Sequence, residues 1–148
     1  MGLFKFIKDA GAKLFGGGAQ AATPDDLKKQ VEGHGFDGSK LDIGLEGDRV
    51  KLSGQAMTQE EAEKIILSLG NTVGVAEVDT SGLQVQQPAP EAVMYTVKKG
   101  DTLWEIAEKH YGKGKGAKHT EIVKANSPPV KNPDMIQPGW VLRIPPLS

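Results

Sequence analysis

Few side chains in this sequence are spaced for chemistry. The histidines His34, His110 and His119 stand at none of the separations that put two imidazoles on one helical face. There is no cysteine, which removes disulfides, thiolate metal sites and thiol nucleophiles together. The acids in Asp25-Asp26 and Gln59-Glu60-Glu61 sit at helix starts, where they meet the positive end of a helix dipole. Lys113-Gly-Lys-Gly-Ala-Lys118 has the glycines of a phosphate loop but not its Gly-Lys-Ser/Thr ending, and reads as a solvated loop. No Gly-x-Ser-x-Gly elbow and no calcium-loop pattern of alternating Asp and Asn closed by Glu occurs. A helix ending at Leu69-Gly70 presents carbonyl oxygens with partial negative charge, and Gly70-Asn-Thr-Val-Gly74 lets the chain bend behind it. On the residues alone this is a helix stop followed by a turn, as is common at helix ends.

The elements that would position these groups follow from patterning. Residues 3–15 place Leu3, Phe4, Ile7, Ala10 and Leu14 at helical spacing, which predicts an amphipathic helix stopping at Gly16-Gly-Gly18. Its apolar face can lie on a membrane or dock on the domain that follows. Docking fits better, because the polar face has only three lysines and one of its charges is acidic. Thr23-Pro24-Asp25-Asp26 opens a helix through Leu27 and Val31, ending near Gly33-His34-Gly35. Leu41–Leu45 and Arg49–Ser53 alternate around Glu46-Gly-Asp48, a β-hairpin. Thr58-Gln-Glu-Glu61 is a capping box for a helix that buries Ala62, Ile65, Ile66 and Leu69. Val73–Val78 and Leu83–Val85 supply a last strand or strand pair.

Gln86-Gln-Pro-Ala-Pro-Glu-Ala92 is short, polar and proline-bearing, a stiff linker. After it, Tyr95-Thr-Val reads as a strand and Gly100-Asp-Thr-Leu-Trp-Glu-Ile-Ala107 as a turn and capped helix. A second short helix ends near Asn126, and Ile136-Gln-Pro-Gly-Trp-Val-Leu-Arg-Ile-Pro145 makes a Pro-Gly turn and closing strand. Trp104, Ile106, Ala107 and Ile122 fall at core spacing. The predicted fold class is α+β: an amphipathic helix and an α-β-β-α-β domain at 1–86, a linker at 87–92, and a β-α-α-β domain at 93–148.

The totals agree with soluble globular material: 148 residues, 25% charged and 38% apolar. Eighteen Lys and Arg against 19 Asp and Glu leave a formal net charge of −1, with no broad pull toward nucleic acid or an anionic membrane. Lys5, Lys8, Asp9 and Lys13 interrupt every apolar run near the N-terminus, and nothing reaches transmembrane length. Phe6 stands where a myristoylation signal carries Ser or Thr. The expected compartment is the cytoplasm.

Residues 95–145 closely resemble the LysM family, on Tyr95-Thr-Val, Gly100–Ala107, Ile122–Asn126 and Ile136–Pro145. The preceding part resembles the BON family through Val50-Lys-Leu-Ser-Gly54, Glu61–Leu69 and Gly74-Val-Ala-Glu-Val78. Together they resemble the BON–LysM family of small bacterial potassium-binding proteins. That resemblance implies a cytoplasmic potassium-responsive binding protein in which K+ sits on the BON side and tightens contact with the LysM domain, biasing the two toward a closed arrangement. A monomeric, non-enzymatic protein is expected, with Rb+ and Cs+ as partial substitutes for K+. The resemblance also implies the main-chain oxygens of Ile7, Ala10, Gly70, Thr72 and Val75 as ligands, one set at the Leu69-Gly70 helix end and a second near Ile7, Ala10 and Gly11. Neutral carbonyl arrays of that kind suit a large singly charged cation, whereas carboxylate shells suit divalent ones. LysM domains suggest a second reading, a cell-envelope adaptor binding N-acetylglucosamine polymers such as peptidoglycan. Its groove would run along Gly100, Asp101, Thr102 and Leu103, with Met135 and Ile136 opposite. Much of that motif also has a purely structural explanation, since Thr102 with Glu105 is a capping box and Pro138-Gly139 a turn.

Overall fold

The computed structural model describes residues 3–6, 23–72, 75–87, 92–126 and 138–145. The elements in chain order are β1 (Leu3–Lys5), α1 (Pro24–Gly33), β2 (Leu41–Glu46), β3 (Arg49–Thr58), α2 (Gln59–Gly70) and β4 (Glu77–Gln87). They are followed by β5 (Val93–Thr96), α3 (Leu103–Tyr111), a 3-10 turn (Gly116–Lys118), α4 (His119–Asn126) and β6 (Val141–Ile144). The architecture is α+β, with one four-stranded sheet in the order β1-β4-β3-β2 and one two-stranded sheet of β5 and β6.

Helix starts fall where the side chains dictate. Thr23 and Asp26 form a reciprocal capping box, with Pro24 in the first turn of α1. Thr58 accepts from the Glu61 N–H at 3.1 Å, and Thr102 from the Glu105 N–H at 3.2 Å. β2 and β3 form the expected antiparallel hairpin, but β3 runs on to Thr58. β3 and β4 are parallel, so the chain must cross over between them, and α2 is that crossover. β4 is one strand with a register shift against β3 at Lys51/Ser53, which reconciles the two short apolar runs around Val78 and Leu83.

The N-terminal prediction needs correction. Leu3–Lys5 is not the start of a helix; it is an edge strand, antiparallel to β4, with Phe4 opposite Val78. Phe4 packs on the core and Phe6 is buried in it, while Leu3 and Lys5 are exposed. This is the period-two alternation of a strand, and over so few residues it outweighs the helical spacing of a longer window. Residues 7–22, which carry the rest of that predicted helix, lie outside the described residues.

Two apolar clusters form among the described residues. The larger gathers Leu27, Val31, Val50, Leu52, Ile65, Ile66, Leu69 and Val78. The smaller gathers Tyr95, Val97, Leu103, Ile106, Ala107, Ile122, Leu142 and Ile144. Strand alternation splits β6 between them: Leu142 and Ile144 enter the smaller cluster and Val141 the larger. Helix α2 is consequently buried on nearly every side, Glu63, Ser68 and Asn71 included. Trp104, expected in the core, is 51% exposed. Its indole lies over Gly116, where a Cβ would collide with the ring, and tilts against His119 at 5.8 Å between centroids. Gln87 belongs to β4, and Ala92 is buried, donating its N–H to Glu63 Oε2 at 2.9 Å.

Candidate metal centre

The end of α2 is densely hydrogen-bonded. Its last carbonyls have definite partners. Asn71 N–H donates to Leu67 O at 3.0 Å and Thr72 N–H to Leu69 O at 3.3 Å. Ser68 O accepts from Gln30 Nε2 and from the Thr72 hydroxyl, both at 2.8 Å. Gln30 Nε2 also lies 2.9 Å from Thr72 Oγ1, and His34 Nδ1 lies 3.0 Å from Ser68 Oγ. The last turn of α1 is thus drawn against the last turn of α2. Neither last turn contains a basic residue. Two helix C-termini, each with partial negative charge, therefore converge with no lysine or arginine of their own to offset it.

Of the predicted ligands, Gly70, Thr72 and Val75 come together here, within one bend of the chain. All three are buried. Thr72 O accepts from Val75 N–H at 3.1 Å, which uses one of its two lone pairs and leaves the other for a second donor or an ion. Gly70 is helical, and the α2 C-cap is Asn71 with φ −83°. The glycine is needed for close approach rather than for a bend, since a Cβ on it would fall inside the Phe6 ring. Phe6 N–H donates to Ala76 O at 2.8 Å, and Ala76 N–H to Asp48 O at 2.8 Å. These bonds tie the N-terminal strand to the loop immediately before Ile7. Ile7 and Ala10 themselves lie outside the described residues. Among the described residues, no three His, Asp or Glu side chains cluster as a divalent metal site would need.

Two buried polar contacts, both missed by sequence reasoning, join α2 to β6. Asn71 Nδ2 donates to Val141 O at 2.9 Å, while its Oδ1 accepts from Val141 N–H at 3.0 Å. Glu63 Oε1 accepts from Arg143 Nη2 at 2.6 Å and Nε at 2.9 Å. Side-chain exposure in that pair is 7% for the arginine and 1% for the glutamate. Glu63 Oε2 is satisfied by Ala92 N–H and Gln59, and Arg143 Nη1 by Ala125 O. An acid–base pair 80 positions apart has no local signature.

The predicted glycan groove looks different. Asp101 Oδ2 accepts from the Tyr95 hydroxyl at 2.6 Å and from Lys98 N–H at 2.8 Å. Burial pushes the Asp101 carboxyl up, but those two bonds, with Lys109 and Lys98 nearby, outweigh it and hold it below its ordinary value. The same hydrogen bond, with burial, raises the Tyr95 hydroxyl to about 12. Gly100 makes the turn with φ +89°, Thr102 caps α3, and Leu103 is in the core rather than forming a shelf. Met135 and Ile136 lie outside the described residues. A shallow depression of about 230 Å³ opens near the other end of α2, lined by Phe36, Lys40, Gln55, Met57 and Glu61 among others. It includes none of the predicted site residues.

The fold of the C-terminal part defines a class. Residues 95–145 match the model of the LysM domain. Over 150 aligned positions the chain is 40% identical to the potassium binding protein Kbp of Escherichia coli O6:H1, covering 98% of this chain and 99% of that protein. An uncharacterized protein of Deinococcus radiodurans is 36% identical over 71% of this chain and 44% of its own length. SpoIVD-associated factor A of Bacillus subtilis is 40% identical over 35% of this chain and 12% of its own length. The chain belongs to the family of the Escherichia coli potassium-binding protein, of the BON–LysM two-domain type. No helix among the described residues is long and apolar enough to cross a membrane.

Proposed function

We propose that this protein is a cytoplasmic, monomeric, non-enzymatic potassium-binding protein, acting as a sensor or buffer. The ion is held by the main-chain oxygens of Ile7, Ala10, Gly70, Thr72 and Val75, and binding favours closure of the LysM domain on the BON domain. A division into a BON part, a short linker and a LysM part belongs to the same reading, with Gln87 counted in β4. The observation that carries it is the meeting of two helix C-termini without a basic residue in either last turn. The name of the Escherichia coli relative supports the choice of cation. Neutral oxygens in a roomy cage favour K+, with Rb+ and Cs+ next, over a smaller ion that keeps its water.

The test is exchange of potassium for sodium at constant ionic strength, followed by thermal unfolding. Potassium must raise the melting temperature above sodium, because a ligand that binds only the folded state stabilises it by mass action. The LysM match alone supports the alternative, an envelope adaptor for N-acetylglucosamine polymers. Including chitin oligomers in the same melts separates the two readings.

A further inference from the structure

Asn71 stands between Gly70 and Thr72 of the proposed ion loop, and its side chain is wholly buried. One amide satisfies both main-chain polar groups of Val141, as a neighbouring strand would. Arg143, two residues further along the same strand edge, is served in the same way by Asn126, with bonds of 2.9 and 2.8 Å. β6 therefore has its outer edge closed by two asparagines, one from its own module and one from the ion loop. The Glu63–Arg143 pair holds α2 and β6 in place beside this contact.

The doubled bond restricts the loop. Rotating the main chain at position 71, and with it the Gly70 and Thr72 carbonyls, swings the amide off Val141 and breaks both bonds. We infer that Asn71 is a positioning residue for the cation: its double bond to Val141 of β6 holds the Gly70 and Thr72 carbonyls in the orientation that the ion needs. The inference rests on the ion-binding reading of the loop. Linkage makes the coupling reciprocal: the ion must tighten the Val141 contact by the same factor by which the contact tightens the ion.

The experiment uses the full chain, potassium chloride as the probe and sodium chloride to hold ionic strength. Titration calorimetry compares wild type with Asn71→Ala, and amide hydrogen exchange is read at Val141 and at Leu142 in wild type. Leu142 is opposite Tyr95 of β5 and serves as the internal control. The expected results are about tenfold or greater loss of potassium affinity in Asn71→Ala, the scale for groups that orient metal ligands, and potassium-dependent slowing of exchange at Val141 exceeding that at Leu142. Equal affinity in wild type and variant overturns the inference and leaves ion binding standing. So does a potassium-saturated wild type in which Val141 and Leu142 slow alike, and that comparison decides the matter if Asn71→Ala does not fold. A wild type that takes up no potassium overturns the ion-binding reading and this inference with it.

Discussion

Gly70 is the residue on which the proposed ion loop and the N-terminal strand meet. Its missing side chain is filled by the ring of Phe6, so Gly70→Ala must push either the ring or the end of α2 aside. Overpacking of this kind costs about 1–3 kcal/mol. The displaced strand leads directly to Ile7, so urea unfolding should show the loss in sodium and a larger one in potassium. An equal loss in both salts would separate the Phe6 contact from the ion site. The Tyr95–Asp101 bond has a pH signature instead. The folded Asp101 carboxyl sits below its ordinary 3.8, so its contribution is present above that pH and is lost as pH falls through the lower folded value. The Tyr95 hydroxyl sits above its ordinary 10, so its contribution is complete below pH 10 and is lost as pH rises toward 12. Asp101→Asn should flatten the acid limb of the stability profile and leave neutral-pH potassium affinity unchanged, as equilibrium melts across pH and one titration would show.

At the scale of elements, the sequence was most legible where interactions are local. Thr23, Thr58 and Thr102 announce three helices because a capping hydroxyl and the N–H that it accepts from lie three residues apart. The hairpin of β2 and β3 and the closing strand β6 were legible for the same reason. Phe4 and Phe6 carried a strand signal only three residues long, masked by a helical pattern spread over thirteen. Trp104 fits a helical core stripe, and only the fold shows its ring lying outside, on Gly116. Asn71 reads as a helix stop, and so it is. Its partner Val141 is 70 positions away, beyond any local pattern. The same holds for Glu63 and Arg143, the pair that binds α2 to β6. Removing one partner leaves the other charge buried and unpaired, so Glu63→Ala or Arg143→Ala should cost about 3–5 kcal/mol. A denaturation midpoint near that of wild type for either variant would mean that water replaces the missing group.

For the whole molecule, α2 is the shared element. Its apolar stripe of Ala62, Ile65, Ile66 and Leu69 completes the sheet's core, and its Glu63 and Asn71 reach the second module. Its C-terminus meets that of α1 in the region where the proposed carbonyls gather. In the proposed reading, ion binding, the packing of the four-stranded sheet and the seating of the LysM module are linked through this one helix, and a ligand at its end stabilises the whole. At a potassium concentration a hundred times the dissociation constant, the stabilisation is about 2.7 kcal/mol, or roughly 5–10 °C in Tm for a chain of this size. Thermal unfolding in potassium against sodium at matched ionic strength measures it directly. A rise of that order confined to potassium, rubidium and caesium is the predicted result; coincident melting curves in potassium and sodium would contradict the account.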